Sequence, residues 1–142
     1  MRLKRRLVVA SVLSLVGAGI QACATATDSA GELVVQQHDR VLRRFTLQQL
    51  RDLPQIEIAT PQSRGAQVQK GPTVRSILNA ASTANPEWVR VEGRDPAQTL
   101  SASEITDLVI LAVTKRNTVK LTGTQLPRDR WVRDVDRIAV NP

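Results

Sequence analysis

The residues able to do chemistry are few and unevenly placed. A single histidine, His38, stands in a charged stretch, and a single cysteine, Cys23, follows an apolar run. One imidazole and one thiol cannot build a zinc cage. A Ser-His-Asp or Cys-His site would have to use His38, and no nucleophile motif stands beside it. There is no G-x-S-x-G and no P-loop, and the only G-x-G, Gly17 and Gly19, lies inside the apolar run. Three aromatics (Phe45, Trp88, Trp131) and no tyrosine make no base-stacking platform. What remains is arginine. Arg128, Arg130 and Arg133, among Asp129 and Asp134, form the densest charged cluster, and guanidinium forks grip carboxylates and oxyanions. Arg94, beside Asp95, is a second candidate. The alternative for both is a solvated surface, with Asp129 and Arg133 pairing at i,i+4. Asp134 and Asp136 are two apart, a poor spacing for a general acid and base on a helix. His38 reads as an exposed tether residue, and Trp88 and Trp131 read as core packing before pocket lining.

The 142 residues suffice for one modest domain. The formal net charge of +7 invites a nucleic-acid reading, but Arg2, Lys4, Arg5 and Arg6 supply much of it. From residue 27 onward the net charge is +3, too little to argue for a polyanion partner. Residues 1–6 are basic, 7–20 apolar and 21–27 small and polar, the order of a secretory signal. The apolar run is short for a membrane span, which needs about 20 residues. Ile20-Gln21-Ala22-Cys23 resembles a bacterial lipobox, which makes Cys23 a lipid-attachment candidate and a lipid anchor the expected membrane contact. Plain cleavage after Ala22-Cys23-Ala24 or Ala24-Thr25-Ala26 is the competing reading. The chain therefore divides into a signal over 1–26, a tether over 27–32 and a single domain over 33–142.

Within the domain, Leu33 to Val35 suits a short strand. Thr46 as N-cap, Leu47, Leu50 and Leu53 on one face and Pro54 as a stop predict a helix. Gln55 to Thr60 alternates as a half-buried strand. Residues 61–72 read as a polar surface loop. Thr73 to Ser82 is a second helix with Val74, Ile77, Leu78 and Ala81 inward. Trp88 to Glu92 is a strand and Gly93 to Thr99 a loop. Ser101-x-x-Glu104 is a capping box that should open a short helix. Val109 to Val113 is apolar throughout and should cross the middle of the sheet. Arg116-Asn117 suits a turn, Thr118 to Leu121 a strand, Val132 to Val135 one helical turn and Arg137 to Val140 the last strand. Short strands and helices without regular β-α-β alternation imply an α+β fold with a mixed sheet.

The order of elements resembles the sulfite-oxidase-type molybdopterin-binding domain. Leu47, Leu50, Leu53 and Pro54 match its first helix, and Gly71, Ile77 and Leu78 the second. Ile110, Leu111 and Ala112 match its buried strand, and Trp131, Val132, Val135, Ile138 and Val140 its closing segment. The resemblance covers roughly residues 31–140 and implies that fold and, in the enzymes, a molybdopterin cofactor. Those enzymes bind molybdenum through a cysteine inside the domain, and no cysteine follows Cys23 here. A soft metal needs that sulfur, so neither a metal nor a cofactor is expected. The expected role is an exported envelope protein that binds a small anionic ligand or another envelope protein without catalysis, using Arg94, Arg128, Arg130 and Arg133. An accessory oxidoreductase subunit, with the cofactor held mainly by a partner, is the alternative.

Overall fold

The computed structural model describes residues 32–142 apart from Ala84. The signal expected over 1–26, Cys23 and all of the tether except Glu32 lie outside the described residues. Among the described residues, nine strands, two helices and two 3-10 turns make an α+β fold. Strands β1 (Leu33–Gln37), β2 (Arg40–Phe45), β5 (Trp88–Glu92), β6 (Gln98–Ser101) and β9 (Arg137–Val140) form a five-stranded sheet in the order β2-β1-β9-β5-β6. The pairing of β1 with β9 is parallel and the other three are antiparallel, so the sheet is mixed. Two hairpins stand apart from it, β3 (Ile56–Ala59) with β4 (Val68–Gly71), and β7 (Val109–Val113) with β8 (Val119–Gly123).

Local chemistry explains the helices. Helix α1 (Leu47–Asp52) opens on a reciprocal capping box: Gln49 N donates to Thr46 Oγ1 at 3.1 Å, and Thr46 N donates to Gln49 Oε1 at 2.9 Å. Helix α2 (Val74–Ala80) is capped by Thr73 and buries Val74, Ile77 and Leu78. These residues meet Leu33, Val35, Phe45, Val89, Val91, Ile138 and Val140 from the sheet in one apolar core. Among the described residues no helix is long and apolar enough to cross a membrane.

The structure corrects several sequence expectations. Strand β2 carries no strand signal in the sequence, because most of its exposed residues are arginines. The expected loop 61–72 contains strand β4, whose place is set by backbone pairing with β3 and by packing on β7. The expected loop 93–99 ends in β6, and the capping box at Ser101 opens only a 3-10 turn, Ala102–Glu104. Strand β7 is apolar throughout, yet it lies in a hairpin and not in the middle of the main sheet. Val109 and Leu111 face the main core, while Ile110 and Ala112 pack with Ile58 in a second small cluster. That burial on both sides explains its composition. The helical turn forms at Arg128–Arg130 rather than at 132–135, where Val132 instead bridges to Leu121 and Asp134 takes a positive φ of 51°. Trp88 is half exposed on the sheet's outer side and does not pack in the core. His38 is exposed as expected, but it belongs to the β1–β2 turn, with φ 56°, and not to a tether.

Candidate functional site

A cleft of about 530 Å³ opens where three connections meet. Its volume falls in the usual range for small-molecule sites. The first wall is the β3–β4 connection, Ser63 to Ala66. It is held by Gln62, whose Nε2 donates to the carbonyls of Leu126 at 2.8 Å and Gly123 at 2.9 Å. The second wall is Asp95 and Pro96, after β5. The third comprises Lys120 on β8 and the stretch holding Arg128, Asp129, Trp131 and Arg133. The fold thus brings together the polar loop 61–72, the loop after β5 and the arginine-rich 128–133 segment.

The four candidate arginines divide evenly. Arg133 and Arg128 line the cleft. Arg133 is engaged: its Nη2 and Nε donate to Asp95 Oδ1 and Oδ2 at 2.8 and 3.0 Å, and its backbone N–H adds a third bond at 2.9 Å. This forked pair replaces the expected surface pair of Arg133 with Asp129. Arg130 points away from the cleft and ties the 3-10 turn to β6 and its neighbour. Its Nη1 meets Glu104 at 2.6 Å, and its Nη2 donates to the Thr99 carbonyl at 2.9 Å. Arg94 also lies outside the cleft, sharing Asp134 with Arg116 at 3.9 and 2.9 Å. Arg130 and Arg94 therefore hold connections in place.

Arg64, Lys120 and Arg128 line the cleft without an ion-pair partner among the described residues. Lys120 was missed because in a Thr-Val-Lys-Leu strand it reads as the outward, solvated position. Its register opposite Ala112 puts it on the hairpin face that carries Ile110 and Thr122, and that face leads into the cleft. Its ammonium lies over the Trp131 ring, 5.3 Å from the centroid. The indole is itself fixed by Nε1 donating to the Leu126 carbonyl at 2.9 Å. Burial pushes the Lys120 amine below its ordinary range, and the positive charge of Arg128 pushes it the same way. This is a cationic cleft short of anions.

Asp95 behaves in the opposite sense. The Arg133 side-chain hydrogen bonds, then its backbone N–H, hold the Asp95 carboxyl down at about 2, against a partial desolvation that raises it. A carboxyl depressed in the folded state adds stability above its unfolded value of 3.8, and that stability is lost as pH falls toward 2. Replacing Asp95 with asparagine is expected to lower denaturant stability by a constant amount at neutral pH, with the gap to wild type closing between pH 4 and 2. Urea titrations across that range check it. A gap independent of pH would show that the carboxylate charge is not what matters. Glu104, lowered by its hydrogen bond from Arg130, makes both proteins acid-sensitive and cancels in the difference.

The resemblance to molybdopterin domains implies a molybdenum cofactor, and the donors present do not fit it. No cysteine exists in residues 32–142, and among the described residues no cluster of His, Cys, Asp and Glu could hold a metal ion. The cleft offers guanidinium and ammonium groups, which bind anions and not cations.

No family model and no curated protein matches the chain. Among solved structures, it is similar to the crystal structure of the sulfane dehydrogenase SoxCD from Paracoccus pantotrophus, with a TM-score of 0.60 and 16% sequence identity. The similarity covers 77% of this chain and 37% of that one, so the chain spans well under half the length of the protein it matches. At that identity the likeness is one of fold. The described residues therefore adopt a sulfite-oxidase-like α+β fold shared with a subunit of an oxidoreductase.

Proposed function

We propose that this protein is a non-catalytic anion-binding module of the cell envelope, built on an oxidoreductase-type fold. The observation that supports it is the cleft whose Arg64, Lys120 and Arg128 have no ion-pair partner among the described residues. Each charge-assisted hydrogen bond to an anion contributes about 1.5–3 kcal/mol. The Arg128→Gln/Lys120→Gln double variant should accordingly bind citrate, malonate or inorganic phosphate at least about tenfold more weakly than wild type in calorimetry. Equal heats from the two proteins, or none from either at millimolar anion, would remove the cleft as the binding site.

The envelope address rests on the basic, apolar and small-residue order of positions 1–27, and the anchor on Cys23. Two or more acyl chains hold a protein stably on a membrane. Cys23→Ser is therefore expected to move the protein from the membrane fraction to the soluble periplasmic fraction, read by fractionation and by the mass of the mature N-terminus. Unchanged partitioning, with a mature terminus at Thr25 or Thr27, would favour plain cleavage. The second reading, an accessory subunit whose cofactor sits mainly in a partner, draws on the fold shared with a dehydrogenase. Molybdenum retained through native co-purification with such a partner would favour it.

A further inference from the structure

We propose that Lys120 is a reactive amine that forms a reversible imine with small carbonyl compounds bearing a carboxylate, such as aldehydic or 2-oxo acids. The inference rests on the cleft as a ligand site and adds a covalent mode of capture to it.

Three observations on Lys120 support this. It lines an open cleft, so a ligand can reach it, while the Trp131 ring at 5.3 Å covers one side of the amine and takes the place of water. Arg128 is the charged neighbour that acts on it, and neither cleft carboxylate compensates: Asp95 is committed to Arg133, and Asp129 makes no ion pair with Lys120. The ring face favours an ammonium modestly, but lost hydration and the like charge of Arg128 outweigh it, so the neutral nucleophilic form is more accessible than in an ordinary lysine. Desolvation and a cationic neighbour are the two conditions that prepare a lysine for carbonyl chemistry.

Arg128 and Arg64 complete the site. An unpartnered guanidinium beside the amine can take a carboxylate in its fork and hold the adjacent carbonyl carbon against Nζ. In the reaction the Nζ lone pair attacks that carbon and a C–N bond forms. The two amine protons pass to the carbonyl oxygen, which leaves as water, and a C=N bond remains. No electrons are transferred, and hydrolysis reverses the step. Lys120 differs here from Lys70 and Lys115, the other lysines of the described residues, both of which are exposed and show no comparable crowding.

The test is reductive trapping on the full chain with glyoxylate and cyanoborohydride at neutral pH, followed by peptide mapping. A lowered amine pKa raises the neutral fraction at a given pH, so Lys120 is expected to be labelled severalfold faster than Lys70 and Lys115. Lys120→Arg should abolish only that label. Arg128→Gln should slow glyoxylate labelling of Lys120 more than it slows labelling by propanal, which has no carboxylate and feels only the loss of the neighbouring charge. Circular dichroism of each variant confirms that it folds. Equal labelling of the three lysines would overturn the proposal. If malonate, which has no carbonyl, still binds under those conditions, the binding reading survives without the imine. If malonate fails as well, both fall.

Discussion

Alanine at position 71 is expected to remove a large share of the domain's stability. Gly71 ends β4 where that strand passes over β7, and a Cβ there would overlap the Leu111 carbonyl oxygen. It would also lie 2.8 Å from the Leu111 carbonyl carbon and 2.9 Å from Ala112 Cα. All three are backbone atoms, so no side chain can swing aside. The two hairpins must separate, which strains the bond from Leu111 N to the Pro72 carbonyl, 2.9 Å long, and the bridge from Thr73 to Ile110. Overpacking of this kind costs about 3 kcal/mol or more, against a total stability of about 5–15 kcal/mol for a domain. Gly65→Ala is the matched control, because a Cβ there meets nothing within 4 Å. Urea midpoints measure both. A Gly71→Ala protein as stable as Gly65→Ala would mean that β4 and β7 do not approach as closely as described.

Phe45→Ala should be comparably damaging for the opposite reason. Phe45 is the only phenylalanine in the chain, is 1% exposed and stands at the last position of β2, immediately before the N-cap of α1. Its ring also carries the Arg43 guanidinium, 4.6 Å above the centroid, and that group donates to the Ala80 carbonyl at the end of α2. Truncation leaves a void among elements that meet from three directions, and such a void costs about 3–5 kcal/mol. Phe45→Leu should recover most of that loss, since it keeps most of the volume. A Phe45→Ala protein within about 1 kcal/mol of wild type would show that the site can collapse around the deletion.

Which parts of this fold could be read from the residues follows from where each burial originates. Helices α1 and α2 announce themselves because Thr46 and Thr73 cap them and their leucine and isoleucine spacing follows the helical period. Strands β1, β5 and β9 announce themselves by β-branched residues. Strand β2 does not, because an edge strand with arginines on its open side has the composition of a solvated loop. Strand β4 does not either, because Val-Gln-Lys-Gly takes its conformation from neighbours remote in sequence. For the site, arginine density located the segment that lines the cleft, but it could not separate Arg128, which has no ion-pair partner among the described residues, from Arg130, which is tied to Glu104. That distinction depends on the strand and turn opposite. Lys120 could have been found by counting period 2 along β8 from Val119 and Leu121, then asking what its face packs against.

The central position of β9 has a kinetic consequence. β1 and β5 each pair with it, and neither pairs with the other. Until residues 137–140 pair, the main sheet exists only as two separate ribbons, β2-β1 and β5-β6, each with an unpaired inner edge. The pairing of β9 with β1 joins residues more than a hundred positions apart, and closures over such separations are slow. During that interval the exposed edges of β1 and β5 are open to pairing with other chains. Folding yield should therefore fall steeply with protein concentration during refolding, even if the finished domain is indifferent to it.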